Sequence, residues 1–297
     1  MKIVVAYDGS TYANAAIDDL LYAGLPQDAD VIVLSAVEWP LLTPRSWGMV
    51  ETGFPDELEA EIKSAERLAE QGRDRLQKHF PKWNIQAVAS PAGHASTAIL
   101  DKANDWHADL IVAGTHGRTG LARVVLGSVS LKLVREAACS VRIGRPRNSG
   151  LPIRLLIGDD GSPEAEAAID EVRRRIWPSV TQVRVVAVHE SLVPLETVNV
   201  ATDPAIYGKI NEDQHLRLKS VLQCDAKKLD IPGVQVLPVL DEGDPKDILV
   251  REAQDWNASA IFVGARGLGR IERILLGSVS SAAVAHAPCS VEVVRHR

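Results

Sequence analysis

The chain has 297 residues, of which 46% are hydrophobic, and it carries a formal net charge of −6. This length allows about two domains, and the apolar fraction is large enough to fill two cores, which argues against a disordered chain. An acidic balance gives no electrostatic basis for binding nucleic acid or an anionic membrane, so we expect neither as a partner.

Nothing in the sequence predicts export or membrane insertion. No apolar run approaches the ~20 residues that span a bilayer, and the segment from Met1 to Asp8 becomes charged too early for a signal peptide. The three cysteines, Cys139, Cys224 and Cys289, follow no disulfide or metal-binding spacing. We therefore expect a cytoplasmic protein with reduced cysteines.

The first half of the chain alternates apolar strands with helices. An apolar run from Lys2 to Tyr7 predicts the first strand, and Gly24 and Pro26 end the first helix. Further strands are predicted at residues 30–37, 84–89, 109–113 and 140–143, and helices at 11–23, 55–80, 93–106 and 127–137. Residues 39–54 are predicted to be irregular, either covering a site or packing on the other half. Strands that are apolar throughout and alternate with helices are typical of a parallel sheet with helices on both faces.

The second half repeats the first. Asp160-Gly161-Ser162 matches Asp8-Gly9-Ser10 at an offset of 152 (160 − 8), and strands are predicted at residues 153–158, 183–188, 234–239, 260–263 and 291–294. Residues 191–212 are predicted to be irregular, as 39–54 are. The stretch 144–152 has the composition of a linker. We therefore predict two domains, residues 1–146 and 152–297.

A glycine motif occurs once in each half, directly after the fourth strand. The first copy is Gly114-x2-Gly117, nine residues and Gly127-Ser128, and the second, 150 positions later (264 − 114), is Gly264-x2-Gly267, nine residues and Gly277-Ser278. Glycine lets backbone N–H groups approach a ligand, and a helix N-terminus favours phosphate. The duplicated motif therefore predicts a polyphosphate site. For one copy alone, the alternative is an ordinary turn followed by a helix cap.

The glycine-containing turns of each half follow its first and fourth strands. A strand order of 3-2-1-4-5 would place both turns at the crevice where the order reverses, which is where open doubly wound sheets bind ligands. We therefore predict an α/β, Rossmann-like fold of two tandem, doubly wound, open parallel five-stranded sheets flanked by helices. Asp8 would then face the first glycine motif, and Asp160 would face the second.

Together these features resemble the universal stress protein family in its tandem two-domain form. The family's ATP-binding pattern, Gly-x2-Gly-x9-Gly-Ser/Thr, is present in both halves, and each half has Asp-Gly-Ser after its first strand. The resemblance covers nearly the whole chain. It implies that the glycine loop and the following helix start hold phosphates, that the aspartate approaches the ribose, and that backbone after the second strand meets the adenine.

The resemblance implies a site for ATP, with or without Mg²⁺, in each half. The matching residues of the first half are Asp8, Ala36, Ala113, Gly114, Gly117, Gly127, Ser128, Val129 and Ser130. Those of the second half are Asp160, Val188, Val263, Gly264, Gly267, Gly277, Ser278, Val279 and Ser280. A carboxylate suits ribose hydroxyls better than a triphosphate, which supports the role of the two aspartates. The alternative for each is a turn or helix cap, and Asp159 could share the role of Asp160.

The sequence offers few groups for catalysis. It has no Gly-Lys-Ser/Thr motif, and no catalytic set of residues recurs in both halves. His116 in the first loop is replaced by Arg266 in the second, so we expect no shared base, although either side chain could contact phosphate. We predict a stress-response regulatory protein in which ATP is a conformational ligand and not a consumed substrate. The alternatives are a nucleotide-free interaction or scaffold module and a slow ATPase.

The resemblance also implies pairing of the fifth strands. Ser140–Ile143 and Val291–Val294 could pair within one chain and give an intramolecular pseudo-dimer. A homodimer of chains is left open, and the sequence identifies no protein partner.

Overall fold

A computed structural model describes residues 1–38, 56–92, 94–117, 126–147, 150–190, 204–267 and 276–295. The irregular segment predicted at 39–54 lies outside these residues. The chain forms two compact units, Met1–Asn148 and Ser149–His296, called here the first and second domains. The predicted boundaries at 146 and 152 stay predictions.

The first domain alternates strands and helices along the chain. Its strands are β1 (Lys2–Ala6), β2 (Asp30–Glu38), β3 (Asn84–Ala92), β4 (Leu110–Gly114) and β5 (Ser140–Gly144). Its helices are α1 (Thr11–Asp19), which continues as a 3-10 turn over Leu20–Tyr22, α2 (Asp56–His79), α3 (Ala95–Asp105) and α4 (Ser128–Glu136). The strand order is β3-β2-β1-β4-β5, and every pairing within the domain is parallel.

The second domain repeats this arrangement. Its strands are β6 (Arg154–Gly158), β7 (Gln182–His189), β8 (Gln235–Glu242), β9 (Ala260–Gly264) and β10 (Ser290–Val294). Its helices are α5 (Pro163–Arg174), α6 (Pro204–Lys228), α7 (Pro245–Asp255) and α8 (Ser278–His286). The order β8-β7-β6-β9-β10 is again all parallel and has the topology of the first domain. The predicted fold class is therefore confirmed.

The central strands explain why the apolar runs are continuous. Residues 3–5 of β1 and 110–112 of β4 are completely buried. A central parallel strand is covered on both faces by helices, so every position along it needs an apolar side chain. The reversal of strand order falls between β1 and β4, and the carboxyl ends of these two strands position the candidate site.

One sequence expectation was wrong. Residues 191–212 were predicted to be irregular, but α6 begins at Pro204, so residues 204–212 are helical. Proline is well tolerated in the first turn of a helix, where its missing N–H would have no partner. Leu222 in the body of α6 is buried, so the helix is held by its packing on the sheet. Residues 191–203 lie outside the described part of the chain.

Each domain contains a buried charged pair at its fifth strand. In the first domain, Nε of Arg142 on β5 donates to Oδ2 of Asp19 on α1 at 2.7 Å, and both side chains are 1% exposed. In the second domain the sign on the strand is reversed, because Glu292 on β10 accepts from Arg175, which also pairs with Glu171 on α5. Both domains thus place compensated charge at the same point of the fold.

Candidate functional site

The carboxyl end of β1 forms a tight turn that presents an aspartate. Oδ1 of Asp8 accepts from the backbone N–H of Ser10 at 3.0 Å, and Gly9 has a φ of +79°, which glycine adopts without strain. Oγ of Ser10 then accepts from the N–H of Ala13 at 3.1 Å and caps α1. The turn and helix cap predicted as the alternative role of Asp8-Gly9-Ser10 are therefore present, and the hydrogen bond to Ser10 fixes the direction of the carboxylate.

The second oxygen of this carboxylate faces the glycine loop after β4. A Cβ added at Gly117 would lie 3.0 Å from Oδ2 of Asp8, and it would meet no other described atom within 4 Å. At Gly114, in contrast, a Cβ would lie 2.7 Å from the backbone carbon of Tyr12 on α1. The two glycines therefore serve different purposes. Gly114 lets α1 pack on β4, whereas Gly117 lets the loop backbone approach the carboxylate of Asp8.

The start of α4 completes the candidate site. The turn after β1, the loop from Gly114 to Gly117 and this helix start are together called the arc. Gly127 is the N-cap of α4 and makes no side-chain cap hydrogen bond within the described residues, unlike Ser10 on α1. Its own N–H donates to the carbonyl of Thr115 at 2.8 Å, which ties the helix start to the loop. The N–H groups of Ser128 and Val129, in the first turn of α4, therefore receive no capping side chain from Gly127. Such a helix end favours an anion.

The second domain builds the same arc from the same kinds of contact. Oδ1 of Asp160 accepts from the N–H of Ser162 at 3.0 Å, and a Cβ added at Gly267 would run into Oδ2 of Asp160. The N–H of Gly277 donates to the carbonyl of Ala265 at 2.8 Å. A Cβ at Gly264 would lie 2.6 Å from the backbone carbon of Glu164 on α5. The geometry of Asp160, and not that of Asp159, therefore matches Asp8.

The remaining sequence-predicted residues fall into four groups. Ala36 and Val188 lie near the carboxyl ends of β2 and β7, at the same edge of each sheet as the arc. Ala113 and Val263 are buried within β4 and β9, so only their backbone could contact a ligand. Two hydroxyls point into the protein: that of Ser130 donates to the carbonyl of Gly114 at 2.7 Å, and that of Ser280 donates to the carbonyl of Gly264 at 2.6 Å. Ser278 and Val279 occupy the first turn of α8 as Ser128 and Val129 do that of α4.

The two arcs differ at one pair of positions. In the first domain the ring of His116 lies 5.0 Å from the ring of Tyr12, and neither ring nitrogen has a hydrogen-bond partner among the described residues. The equivalent positions of the second domain (164 − 12 = 152; 266 − 116 = 150) hold Glu164 and Arg266, which form an ion pair at 2.9 Å. A cation beside the second arc is thus already neutralised by the protein, whereas His116 is not engaged by a carboxylate.

A buried carboxylate beside the second arc was not anticipated from sequence. Asp159 is 4% exposed, and its Oδ1 accepts from the N–H of Gly161 at 2.9 Å. Burial raises the pKa of Asp159 to about 6, and the nearby carboxylates of Asp225 and Asp160 act in the same direction. Asp225 lies on α6, 65 or more positions away (225 − 160), so no local pattern could have revealed the contact.

The raised pKa of Asp159 leads to a testable prediction about the free energy of unfolding. The pKa of Asp159 is about 6 in the folded protein, against 3.8 for an ordinary aspartate. Folding therefore favours the protonated form, and the free energy of unfolding falls as the pH rises from about 3.8 to about 6. Replacing Asp159 with Asn keeps the acceptor for Gly161 and removes the charge. We expect Asp159→Asn to be more stable at pH 7.5 by up to about 3 kcal/mol, with a smaller difference at pH 4.5.

Urea unfolding at the two pH values measures this difference in the free energy of unfolding. Asp170→Asn removes one carboxylate of α5 whose side chain is 39% exposed and pairs with Arg173, and it serves as the matched control. An Asp159→Asn variant that is less stable than the parent protein at pH 7.5, or whose gain does not change with pH, would contradict the assignment.

The comparison with known protein families matches each half of the chain separately. The sequence profile of the Universal stress protein family matches twice, over residues 1–145 and 154–295. A universal stress protein of Mycolicibacterium smegmatis is 33% identical over 99% of this chain and 97% of its own length. One from Mycobacterium tuberculosis is 29% identical over 99% of this chain and 96% of its own length.

Solved structures show the same fold. The crystal structure of a universal stress protein from Archaeoglobus fulgidus superposes with a TM-score of 0.67 at 17% identity, covering 99% of this chain and 98% of that one. With both halves matched by the family profile, and with a relative at 33% identity over nearly the full length of both proteins, this chain belongs to the universal stress protein family.

Proposed function

We propose that each domain binds one molecule of ATP at the arc between its first and fourth strands. The observation that carries the proposal is that Oδ2 of Asp8 lies directly against Gly117, beside the uncapped start of α4, and that the same arrangement recurs around Asp160. A helix end without a capping side chain suits phosphate, and a fixed carboxylate suits hydroxyl donors. These two features at one sheet edge match a nucleoside polyphosphate.

The chemistry of the arc suggests a role for each group. The amides of Gly117, Ser128 and Val129 would hold the phosphates, with Mg²⁺ as a counter-ion where it is present. Oδ2 of Asp8 would accept from a ribose hydroxyl. Ala36, at the end of β2, would offer backbone to the adenine. In the second domain the corresponding groups are those of Gly267, Ser278, Val279, Asp160 and Val188.

Several of the predicted ligand residues would act indirectly. The N–H groups of Gly127 and Gly277 are already donated to carbonyls of the preceding loops. Because the single hydroxyl hydrogen of Ser130 is donated to Gly114, this side chain ties the helix start to the strand. Ser280 does the same in the second domain. Both hydroxyls would therefore shape the arc and need not donate to phosphate themselves.

The two sites are expected to differ in affinity. His116 could donate to a phosphate oxygen, because its ring nitrogens are not engaged by the described residues. Arg266 would first have to leave Glu164, which lies 2.9 Å away. Titration calorimetry with ATP should therefore resolve two classes of site, and the His116→Gln substitution should weaken only one of them.

We propose that ATP acts here as a conformational ligand in a stress-response protein and is not consumed. The proposal rests on the nature of the arc, which offers backbone amides and a carboxylate suited to hydroxyl donors. A slow ATPase is the alternative, and a turnover rate well above that of a glycine-loop variant would favour it. A cytoplasmic location, protein partners, and pairing of fifth strands within or between chains stay predictions from the sequence.

The nucleotide content of the purified protein tests the proposal directly. We expect denatured protein to release adenine nucleotide at near two per chain on an ion-exchange column, after purification without added nucleotide. Protein that releases none should take up ATP when it is titrated at millimolar concentration. Absence of both would favour the nucleotide-free scaffold, which is the second candidate because the arc glycines also permit close packing of α1 and α5.

A further inference from the structure

Three potential metal ligands converge in the second domain, apart from the glycine arc. His189, His215 and Glu242 each offer one ligand atom, and these atoms all lie within 4.8 Å of one another. Among the described residues, this is the one group of three or more such side chains that could hold a cation. None of the three belongs to the residues proposed to hold ATP.

The fold brings the three residues together from distant positions. His189 ends β7 and Glu242 ends β8, and the parallel register pairs them directly. Residues paired across a sheet point to the same face, so both side chains rise on one side. The helix α6 packs against β7 and β8 and supplies His215. The ring centroids of the two histidines are 5.6 Å apart, and the rings meet edge to face.

His189 is the residue that calls for an explanation. It is 4% exposed, and within the described part of the chain neither Nδ1 nor Nε2 has a hydrogen-bond partner. Leaving a buried polar group without a partner costs about 1–3 kcal/mol. Nδ1 of His215 lies 3.9 Å from Oε1 of Glu242, which is too long for a direct hydrogen bond. The three potential ligand atoms therefore lie close together, with no direct hydrogen bond between His215 and Glu242.

We propose that His189, His215 and Glu242 bind a divalent transition-metal ion, with Zn²⁺ as the best match. Two imidazoles and one carboxylate suit zinc, whereas magnesium and calcium prefer oxygen ligands alone. Ligand atoms on tetrahedral zinc lie about 3.3 Å apart, since each bond is about 2.0–2.1 Å long. A shift of about 1 Å in the side chains would bring the three ligand atoms to this spacing.

The exposure of the ligands supports this movement. The side chain of His215 is 38% exposed and that of Glu242 is 71% exposed, so both can rotate towards a fixed His189. The buried histidine would anchor the ion, and the two outer residues would complete the set. Because Glu242 faces solvent, the fourth position would be open to water.

The first domain provides an internal comparison. By offset and by strand register, the positions of His189 and Glu242 correspond to Val37 and Pro91 (189 − 37 = 152; 242 − 91 = 151). Neither residue can bind a metal through its side chain. We therefore expect one ion per chain, held by the second domain, whereas nucleotide would bind to both domains.

Equilibrium dialysis of the full chain against Zn²⁺ tests the proposal. The protein should be free of affinity tags and of nucleotide, because both bind zinc. We expect one tightly bound ion per chain by elemental analysis, and a higher melting temperature with Zn²⁺ than with a chelator. His189→Gln and Glu242→Gln should each weaken binding at least about tenfold, since loss of even an outer-shell partner costs that much.

Two substitutions serve as matched controls. Glu190→Gln removes the same charge next to His189 without removing a ligand, and His94→Gln removes an exposed imidazole from the first domain. Both should bind Zn²⁺ as the parent protein does. If His189→Gln fails to fold, the exposed Glu242→Gln decides the matter. Absence of saturable binding, or equal affinity in Glu242→Gln and the parent protein, would overturn the proposal.

Discussion

Replacing Gly117 and Gly267 together with valine is expected to abolish ATP binding while leaving the melting temperature unchanged. A side chain at either position would enter the gap between the loop and the aspartate. At Gly117 the atom it would meet is Oδ2 of Asp8, a side-chain atom at the surface of the site and not the backbone of a packed helix, so we expect the core to be undisturbed. The ligand, in contrast, would lose both the space and the close approach of the loop amides.

Each single substitution should remove ATP binding only from the domain that carries it. Gly117→Val should remove one of two binding events seen by titration calorimetry, and Gly267→Val should remove the other. Each affected site should weaken by at least about 100-fold, or about 2.8 kcal/mol. The stepwise loss of stoichiometry would show that each arc binds nucleotide on its own.

Neighbouring glycines in the same motif provide the control. Alanine at Gly114 would lie 2.7 Å from the backbone of Tyr12, and alanine at Gly264 would lie 2.6 Å from the backbone of Glu164. Backbone of a packed helix cannot move aside, so these two variants should lose stability first. If the double valine variant still bound two ATP molecules, the arcs would not be the nucleotide sites. If it lost stability without losing ATP, the scaffold hypothesis would be favoured.

Replacing Asp19 with Asn should destabilise the first domain by about 3–5 kcal/mol. The side chains of Asp19 and Arg142 are each 1% exposed, and Oδ2 of the carboxylate lies 2.7 Å from Nε of the guanidinium. Removing the charge of one partner from a buried pair leaves the other charge poorly compensated in a medium of low polarity. Asparagine has nearly the same volume, so the loss would report the charge and not a cavity.

The adjacent residue is a matched control for this prediction. Asp18 also pairs with an arginine, since Oδ2 of Asp18 lies 2.5 Å from Arg75, but its side chain is 41% exposed. Solvent screens such a pair, so Asp18→Asn should cost about 1 kcal/mol or less. Urea unfolding monitored by circular dichroism would compare the two variants. Equal effects of Asp18→Asn and Asp19→Asn would contradict the role given to burial.

Much of the fold could be predicted because its signals are local. A central parallel strand needs an unbroken apolar run, and the runs around Val4 and Ile111 met that need. The strand order followed from the positions of the two glycine-bearing turns and is confirmed. The sequence does not predict the start of α6 at Pro204, because residues 191–212 occupy the place that the irregular segment 39–54 has in the first half.

The candidate site was predicted in outline and not in its details. Its glycines and aspartates stand at fixed spacings along the chain, which a sequence can reveal. The inward hydrogen bond of Ser130 could not be predicted, because it depends on the distance between a helix start and a strand end. The pairing of Arg266 with Glu164 likewise joins residues about a hundred positions apart (266 − 164 = 102).

The sequence by itself determined the strands, the duplication and the places where the backbone must lack a side chain, since these depend on neighbouring residues along the chain. The tertiary structure alone decided which distant side chains meet. It buried Asp19 against Arg142, and it gathered His189, His215 and Glu242 at one sheet edge. Such contacts arise from strand register and helix packing, to which each residue contributes only a small part of the energy.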